Sequence, residues 1–409
     1  MPAPRRFLSD QSQAGCFHVV NRVYDRKFLL DAEGKEFFLR VLRAYEDVLG
    51  VEVLTFCVMD NHFHLLLRVP HRPKDFDVPL EVVVERLERA LGRLTVQRMH
   101  RRLQLLRDAK DEAGIEVWRV QQVKRMFSLS EFMKSVQQRF SRWYNARAER
   151  RGAFWEGRFT SLMVQEEERV LRTMAAYIDL NPLRAGMVED PGDYRWGGYA
   201  EAMAGKSRAR RGLVRIIGAA AWGKASLADW KPRAEEMGGG GGWAVGECER
   251  LPWGAEAFPG RVERRALVYY RALLGGQGAE RKGPDGVVFR RGLSEKVRER
   301  LRSPSERRLA AEVLIRRVQH FTRGVILGGR SFVDEWFEGH REVVQGSSRE
   351  GRQRGSRSLG LAALRGLYAF RRLRSPTPPT ASEIALSEIP QISKMGSAQI
   401  AEGPAAVQC

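Results

Sequence analysis

The chain has 409 residues, with 70 Lys and Arg against 50 Asp and Glu and a formal net charge of +20. That is long enough for one sizeable domain and a second unit, and so basic a chain favours a polyanionic partner, nucleic acid or an anionic surface. Four scattered cysteines without a C-x-x-C pair, no apolar signal core in residues 1–14 and no long apolar span argue against a disulfide framework, a zinc-thiolate site and a membrane partner, and point to a cytoplasmic protein.

Residues 1–14 read as a tail, and residues 15–204 as the first domain. CFHVVNRV at 16–23 reads as an opening strand. Residues 33–49 place Phe37, Phe38, Val41, Leu42, Tyr45 and Leu49 at helical spacing, with Asp31 positioned to cap them. VEVLTFCVMDNHFHLLLRVP at 51–70 reads as a hairpin broken at Asp60-Asn61. In its second strand Phe63, Leu65, Leu67 and Val69 share one face, while His62, His64, Leu66 and Arg68 share the other. Two imidazoles at i and i+2 then stand about 7 Å apart, a gap that one metal ion bridges; the competing reading is packing or surface decoration. A strand supplies two ligands, so a third must come from elsewhere. The order strand-helix-strand-strand needs one more helix and strand to complete an antiparallel sheet with helices on one face. The fold expected is therefore α+β, a ferredoxin-like or RRM-like layer.

Residues 71–125 read as a charged helical insertion carrying Arg86, Arg89, Arg93, Arg98, Arg101, Arg102 and Arg107. A phosphate-gripping face and a solvated helix laced with Glu–Arg pairs fit it equally. Residues 166–187 open with acidic residues, as suits a helix N-terminus, and continue with an apolar stripe. Tyr177 and Asn181, four apart, share a face of that helix. Pro182 puts Asn181 at the last turn. Alone, Tyr177 reads as a half-buried aromatic. Beside His62 and His64 in a basic protein it completes a chemistry: a divalent cation on two imidazoles and the Asn181 oxygen, and a phenol attacking phosphorus.

Residues 205–260 read as a linker region with the glycine run MGGGGGW at 237–243, and 261–374 as a mainly α-helical, basic C-terminal extension. Helical periodicity recurs at 262–274 and 306–321, and Gly328-Gly329 is read as breaking one helix from the next. A small bundle is preferred there to a helix-turn-helix. Residues 375–409 read as a disordered Pro, Ser and Ala-rich tail.

CVMDNHFHLLL at 57–67 resembles the His-hydrophobe-His signature of the HUH nucleases in their single-tyrosine transposase branch. QRFSRWYNARAERRGAFWEGRF at 138–159, YIDLNPLRAG at 177–186 and DYRWGGY at 193–199 resemble the REP-associated tyrosine transposases, in the expected order. The resemblance covers roughly residues 15–200. It implies an enzyme, a DNA nickase-ligase with His62, His64 and Asn181 as ligands of Mg²⁺ or Mn²⁺ and Tyr177 as the nucleophile. The substrate implied is single-stranded DNA at hairpin or palindromic repeats, cut through a 5′-phosphotyrosine in a nucleoid-associated bacterial transposase. It also assigns DNA contacts to Arg139, Phe140, Arg142, Trp143, Tyr144, Arg147 and Arg158, residue types suited to stacking on bases and gripping phosphates. A homodimer in which Tyr177 serves a partner's metal site is left open, as is a place for His18 near the site. The rival reading is a catalytically silent hairpin-binding protein with an RRM-like sheet.

Overall fold

In the computed structural model, residues 51–70 fold as the hairpin their pattern predicts, β2 (Glu52–Val58) and β3 (His62–Val69) pairing antiparallel. The structure describes residues 15–188, 190–218, 260–274, 281–282, 288–290, 324–339, 357–358 and 368–371. The tail at 1–14, the glycine run at 237–243, the helical reading of 306–321 and the tail at 375–409 lie outside the described residues. The described residues all fall within one compact unit.

The opening strand β1 (Gly15–Arg22) inserts between β3 and β4 (Thr160–Val164), antiparallel to both. Between β1 and β2 runs α1 (Ala32–Leu49), whose N-terminus Asp31 caps by accepting from the Gly34 N–H at 2.7 Å. Gly50, in the left-handed region at φ 66°, ends it. Between β3 and β4 come α2 (Leu80–Ala90), α3 (Arg93–Asp108), α4 (Glu112–Lys124) and α5 (Leu129–Arg147). The order β2-β3-β1-β4 with α1 and α5 as crossovers is the ferredoxin-like arrangement expected, and the α+β class holds.

Strand alternation assigns each residue its layer. Phe63, Leu65, Leu67 and Val69 of β3 pack with Phe17 and Val19 of β1 under α1 and α5. Each fully buried phenylalanine there, such as Phe38, Phe63 or Phe140, contributes roughly 1.5–3 kcal/mol relative to exposure. The inserted helices join the same layer through Val83, Leu87, Met99, Leu103, Trp118 and Val123. Arg93, Arg98, Arg101, Arg102 and Arg107 of α3 are exposed.

The opposite face differs from expectation. Helices were expected on one face only; here a second helical layer covers the other. It is formed by α6 (Glu168–Asp179), the short α7 (Asn181–Arg184), α8 (Gly198–Met203), α9 (Ser207–Ile217) and α10 (Gly260–Leu273). The reason is that β1–β4 are apolar on both faces: Cys16, Leu54, Cys57, Leu66, Leu162 and Val164 need their own cover. Gly212 lets α9 approach β2, since a Cβ there would stand 2.1 Å from the Leu54 carbonyl oxygen. One polar knot fastens this layer. The buried Asp179 carboxylate accepts from Thr55 Oγ1 (2.8 Å), from Tyr270 Oη of α10 and from the Tyr199 N–H (3.4 Å).

The C-terminal extension departs from the reading of Gly328-Gly329 as a break between two helices. The segment before Gly329 is a strand, β7 (Gly324–Gly328), followed by α11 (Arg330–Gly339). It pairs parallel to β4, Ile326 opposite Met163, because Val325, Ile326 and Leu327 suit a buried strand better than a helix end. Then β8 (Arg357–Ser358) and β9 (Tyr368–Arg371) carry the sheet to the order β2-β3-β1-β4-β7-β9-β8. A separate hairpin pairs β5 (Arg281–Lys282) with β6 (Val288–Arg290). The periodic run at 262–274 is helical, as α10.

Candidate active site

The site lies on the sheet face under α6. The β1–β3 register sets Arg22 opposite His62, Val20 opposite His64 and His18 opposite Leu66, so the three histidines rise from one face. The His62 and His64 rings stand 5.0 Å apart at 80°. His62 is half-buried, and its Nδ1 lies 2.6 Å from Asn61 Oδ1. His64 is 3% exposed, and its Nδ1 lies 2.9 Å from Nε2 of His18, itself 1% exposed. These two rings stack at 5.1 Å. Burial holds the His64 imidazole well below its ordinary pKa, reinforced by His62, His18, Arg184 and Arg22. It is therefore a neutral ring, the form in which an imidazole binds a metal.

Tyr177 comes down from α6 onto this group. Its ring sits 5.9 Å from both His18 and His64, edge-on to each. Pro182 breaks the helix as expected, so α6 ends at Asp179 and α7 begins at Asn181. Asn181 caps the break: its Nδ2 donates to the Tyr177 carbonyl (2.9 Å) and the Ile178 carbonyl (3.1 Å). Its Oδ1 accepts from Arg184 Nη2. The Arg184 guanidinium in turn lies over the Tyr177 ring, 4.4 Å from its centroid.

The structure thus brings His62, His64 and Tyr177 together and adds His18 and Arg184. It turns the Asn181 oxygen toward Arg184. Two neighbouring imidazoles 5.0 Å apart suit a divalent ion; His64, with Nδ1 taken by His18, would meet it through Nε2. Asn181 fits as a third ligand only if Arg184 lets go of Oδ1. Among the described residues no group of three or more His, Cys, Asp or Glu side chains is arranged to hold a metal. Arg184 escaped the sequence reading, though Tyr177, Asn181 and Arg184 at i, i+4 and i+7 trace one helical face.

Residues 12–102 match the family model described as Transposase IS200 like. This segment is similar to the IS200-like transposases. The resemblance read from residues 57–67 is borne out by it. The IS200-like segment spans β1, α1 and the histidine hairpin, and it stops before Tyr177 and Asn181. A solved structure, of a REP-associated tyrosine transposase bound to a REP hairpin, aligns with 50% of this chain and 86% of its own, at 13% identity and a TM-score of 0.31. Comparison with curated proteins finds no match.

Beyond that segment, the DNA-contacting set expected between Arg139 and Arg158 needs correction. Phe140 is 0% exposed and Tyr144 is 7% exposed, both packed in the layer under α1. That layer is the face away from the histidines, so neither ring offers a surface to a base. Trp143 is half-buried and stacks on Phe37 at 4.1 Å. Arg147 pairs with Asp31 (2.6 Å) and Glu33 (2.8 Å) over the Trp143 ring, and Arg139 lies over Phe37. Arg142 and Arg158 alone of the set are exposed. The aromatics Phe140 and Tyr144, assigned to DNA by the resemblance, lie on the helix's core face. No helix among the described residues is long and apolar enough to cross a membrane.

Proposed function

We propose that this chain is a divalent-metal-dependent single-stranded DNA endonuclease and strand transferase acting at hairpin or palindromic repeats. The observation that carries the reading is the position of the Tyr177 ring, 5.9 Å from His64 within the same chain. Tyr177 loses its proton and its phenolic oxygen bonds to phosphorus. The bond to the 3′ oxygen breaks, and that oxygen leaves as a hydroxyl. A 5′-phosphotyrosine and a free 3′-OH result, and attack by a 3′-OH reverses the step, conserving the bond energy without a nucleotide cofactor. His62 and His64 would hold Mg²⁺ or Mn²⁺, which when bound supplies Lewis-acid polarisation of the phosphate. Arg22 and Arg184 place positive charge beside His64, where the phosphoryl oxygens gather negative charge. His64 and Tyr177 pack within one protein, so the reading needs one chain only.

The test is an SDS-resistant adduct assay on labelled single-stranded hairpins from the repeats of the source genome, with Mn²⁺ or Mg²⁺. Wild type is expected to form a labelled adduct, and Tyr177→Phe and His64→Ala to form none. An adduct surviving Tyr177→Phe would move the nucleophile elsewhere. Tight hairpin binding with no adduct in any metal would leave a silent hairpin-binding protein.

A further inference from the structure

With the α5 aromatics buried, the surface that meets unpaired bases must be sought elsewhere. Among the described residues two aromatic side chains stand out in solvent: Tyr24, 56% exposed, and Phe28, 78% exposed. They share the loop that joins β1 to α1. That loop begins one residue after Arg22, which is paired opposite His62. It turns through Asp25 at φ 58° and Arg26 at φ 54°, non-glycine residues in the left-handed region, at a cost of roughly 1–2 kcal/mol each.

The turn is fastened to the site. Val23 N–H donates to the Asn61 carbonyl (2.8 Å), Leu30 N–H to the Asp60 carbonyl (2.9 Å), and Asn61 Nδ2 to the Arg26 carbonyl (3.1 Å). The other end of the Asn61 amide lies against His62 Nδ1. One side chain therefore sets both the aromatic loop and a candidate metal ligand.

The surroundings are cationic. Arg26 and Lys27 are exposed on the loop, and Arg22 is half-buried at its root. Arg158 reaches the same corner, since Glu156 N–H donates to the Arg22 carbonyl (2.9 Å) and Asn21 Nδ2 to the Gly157 carbonyl (3.0 Å). Against these stand the carboxylates of Asp25, 3.6 Å from Lys27, and Glu156. Exposed rings flanked by cations suit single-stranded DNA: an unpaired base has a bare π-face to stack, and its backbone follows the positive charge. A base pair inside a duplex offers no such face.

We propose that Tyr24 and Phe28 form a platform on which unpaired bases next to the scissile phosphate stack, with Arg22, Arg26, Lys27 and Arg158 along the backbone. The platform rests on the single-stranded DNA reading above and makes it specific, because it selects the junction between a hairpin and its unpaired flank.

The experiment uses the full chain, a chelator to prevent cleavage, and fluorescent hairpins with and without an unpaired flank, read by anisotropy. Tyr24→Ala combined with Phe28→Ala is expected to weaken binding to the flanked hairpin about 10–100-fold, as loss of base–aromatic stacking does. Binding to the unflanked hairpin should stay at the wild-type value. Phe28→Trp should restore affinity and lose fluorescence when the flanked DNA binds. Unchanged affinity of the double Ala variant for the flanked hairpin overturns the platform, as does an equal loss on both hairpins. If wild type itself binds neither hairpin and forms no adduct, the single-stranded DNA reading fails; if it does both and the double variant matches it, the platform alone fails.

Discussion

His18 Nε2 lies 2.9 Å from His64 Nδ1, two buried imidazoles sharing one hydrogen bond. One nitrogen must donate and the other accept. If His64 meets a cation through Nε2, its proton sits on Nδ1 and points at His18. His18 then fixes the tautomer on which metal binding depends, as outer partners of ligating histidines do. His18→Phe is expected to lower Mn²⁺ affinity by about 10–100-fold, measured by titration calorimetry on the DNA-free protein. His18→Gln, which keeps an acceptor there, should lie nearer wild type. Wild-type affinity in His18→Phe would make His18 a packing residue, while loss in His64→Ala would still uphold the metal site.

Arg184 holds the Asn181 oxygen and covers the Tyr177 ring. Releasing that oxygen should complete the ion's shell. Arg184→Met is expected to raise Mn²⁺ affinity severalfold while costing about 0.5–2 kcal/mol of stability from the lost cation–π contact. Removing a nearby cation would also favour a metal, so the decisive comparison adds Asn181→Ala to Arg184→Met. If the gain vanishes, Asn181 is the third ligand. If it persists, Asn181 serves only to cap the end of α6.

Much of this arrangement was legible because a strand has a period of two residues. That period alone separated His62 and His64 from Phe63 and Leu65, and the two layers keep them apart. It could not reveal that His18 would join them, since which strands pair is a long-range fact expressed only in the register. Residue type likewise suggested stacking for the aromatics of α5 but not what they touch; Phe140 and Tyr144 pack on Phe38 and Phe154, not on a ligand. The second helical layer was hidden for a related reason. Part of it comes from α10, more than forty residues after α9 in the chain.

Gly212 gives a stability test of that second layer. A methyl at this position of α9 meets the backbone of β2 at Leu54, which cannot swing aside. Gly212→Ala should therefore destabilise the protein by about 1–3 kcal/mol, read from urea unfolding. Gly157→Ala, with nothing within 4 Å of the new Cβ, is the control, and no comparable loss is expected there. Equal curves for the two variants would mean that α9 does not press on β2.

Asp179 supplies a pH dependence with a definite sign. Its burial pushes the carboxyl up from 3.8 to about 7, against the opposing pull of hydrogen bonds from Tyr270, Thr55 and the Tyr199 N–H. In the window between these values the folded protein holds a proton that the unfolded chain has released. Stability from this group is therefore complete below about pH 4, declines as pH rises, and is lost above about pH 7, with a span on the order of 4 kcal/mol. Asp179→Asn cannot titrate, yet keeps an acceptor for Thr55 and Tyr270. Urea unfolding between pH 5 and about pH 8 should show wild type losing stability relative to Asp179→Asn as pH rises. Parallel profiles would show that Asp179 keeps an ordinary pKa and that water reaches it. Asp179 belongs to α6, which carries Tyr177, and its partner Tyr270 to α10, so the desolvated charge that forms as pH rises destabilises the layer that holds Tyr177. Adduct yield in Asp179→Asn should therefore fall off less steeply than wild type above neutral pH.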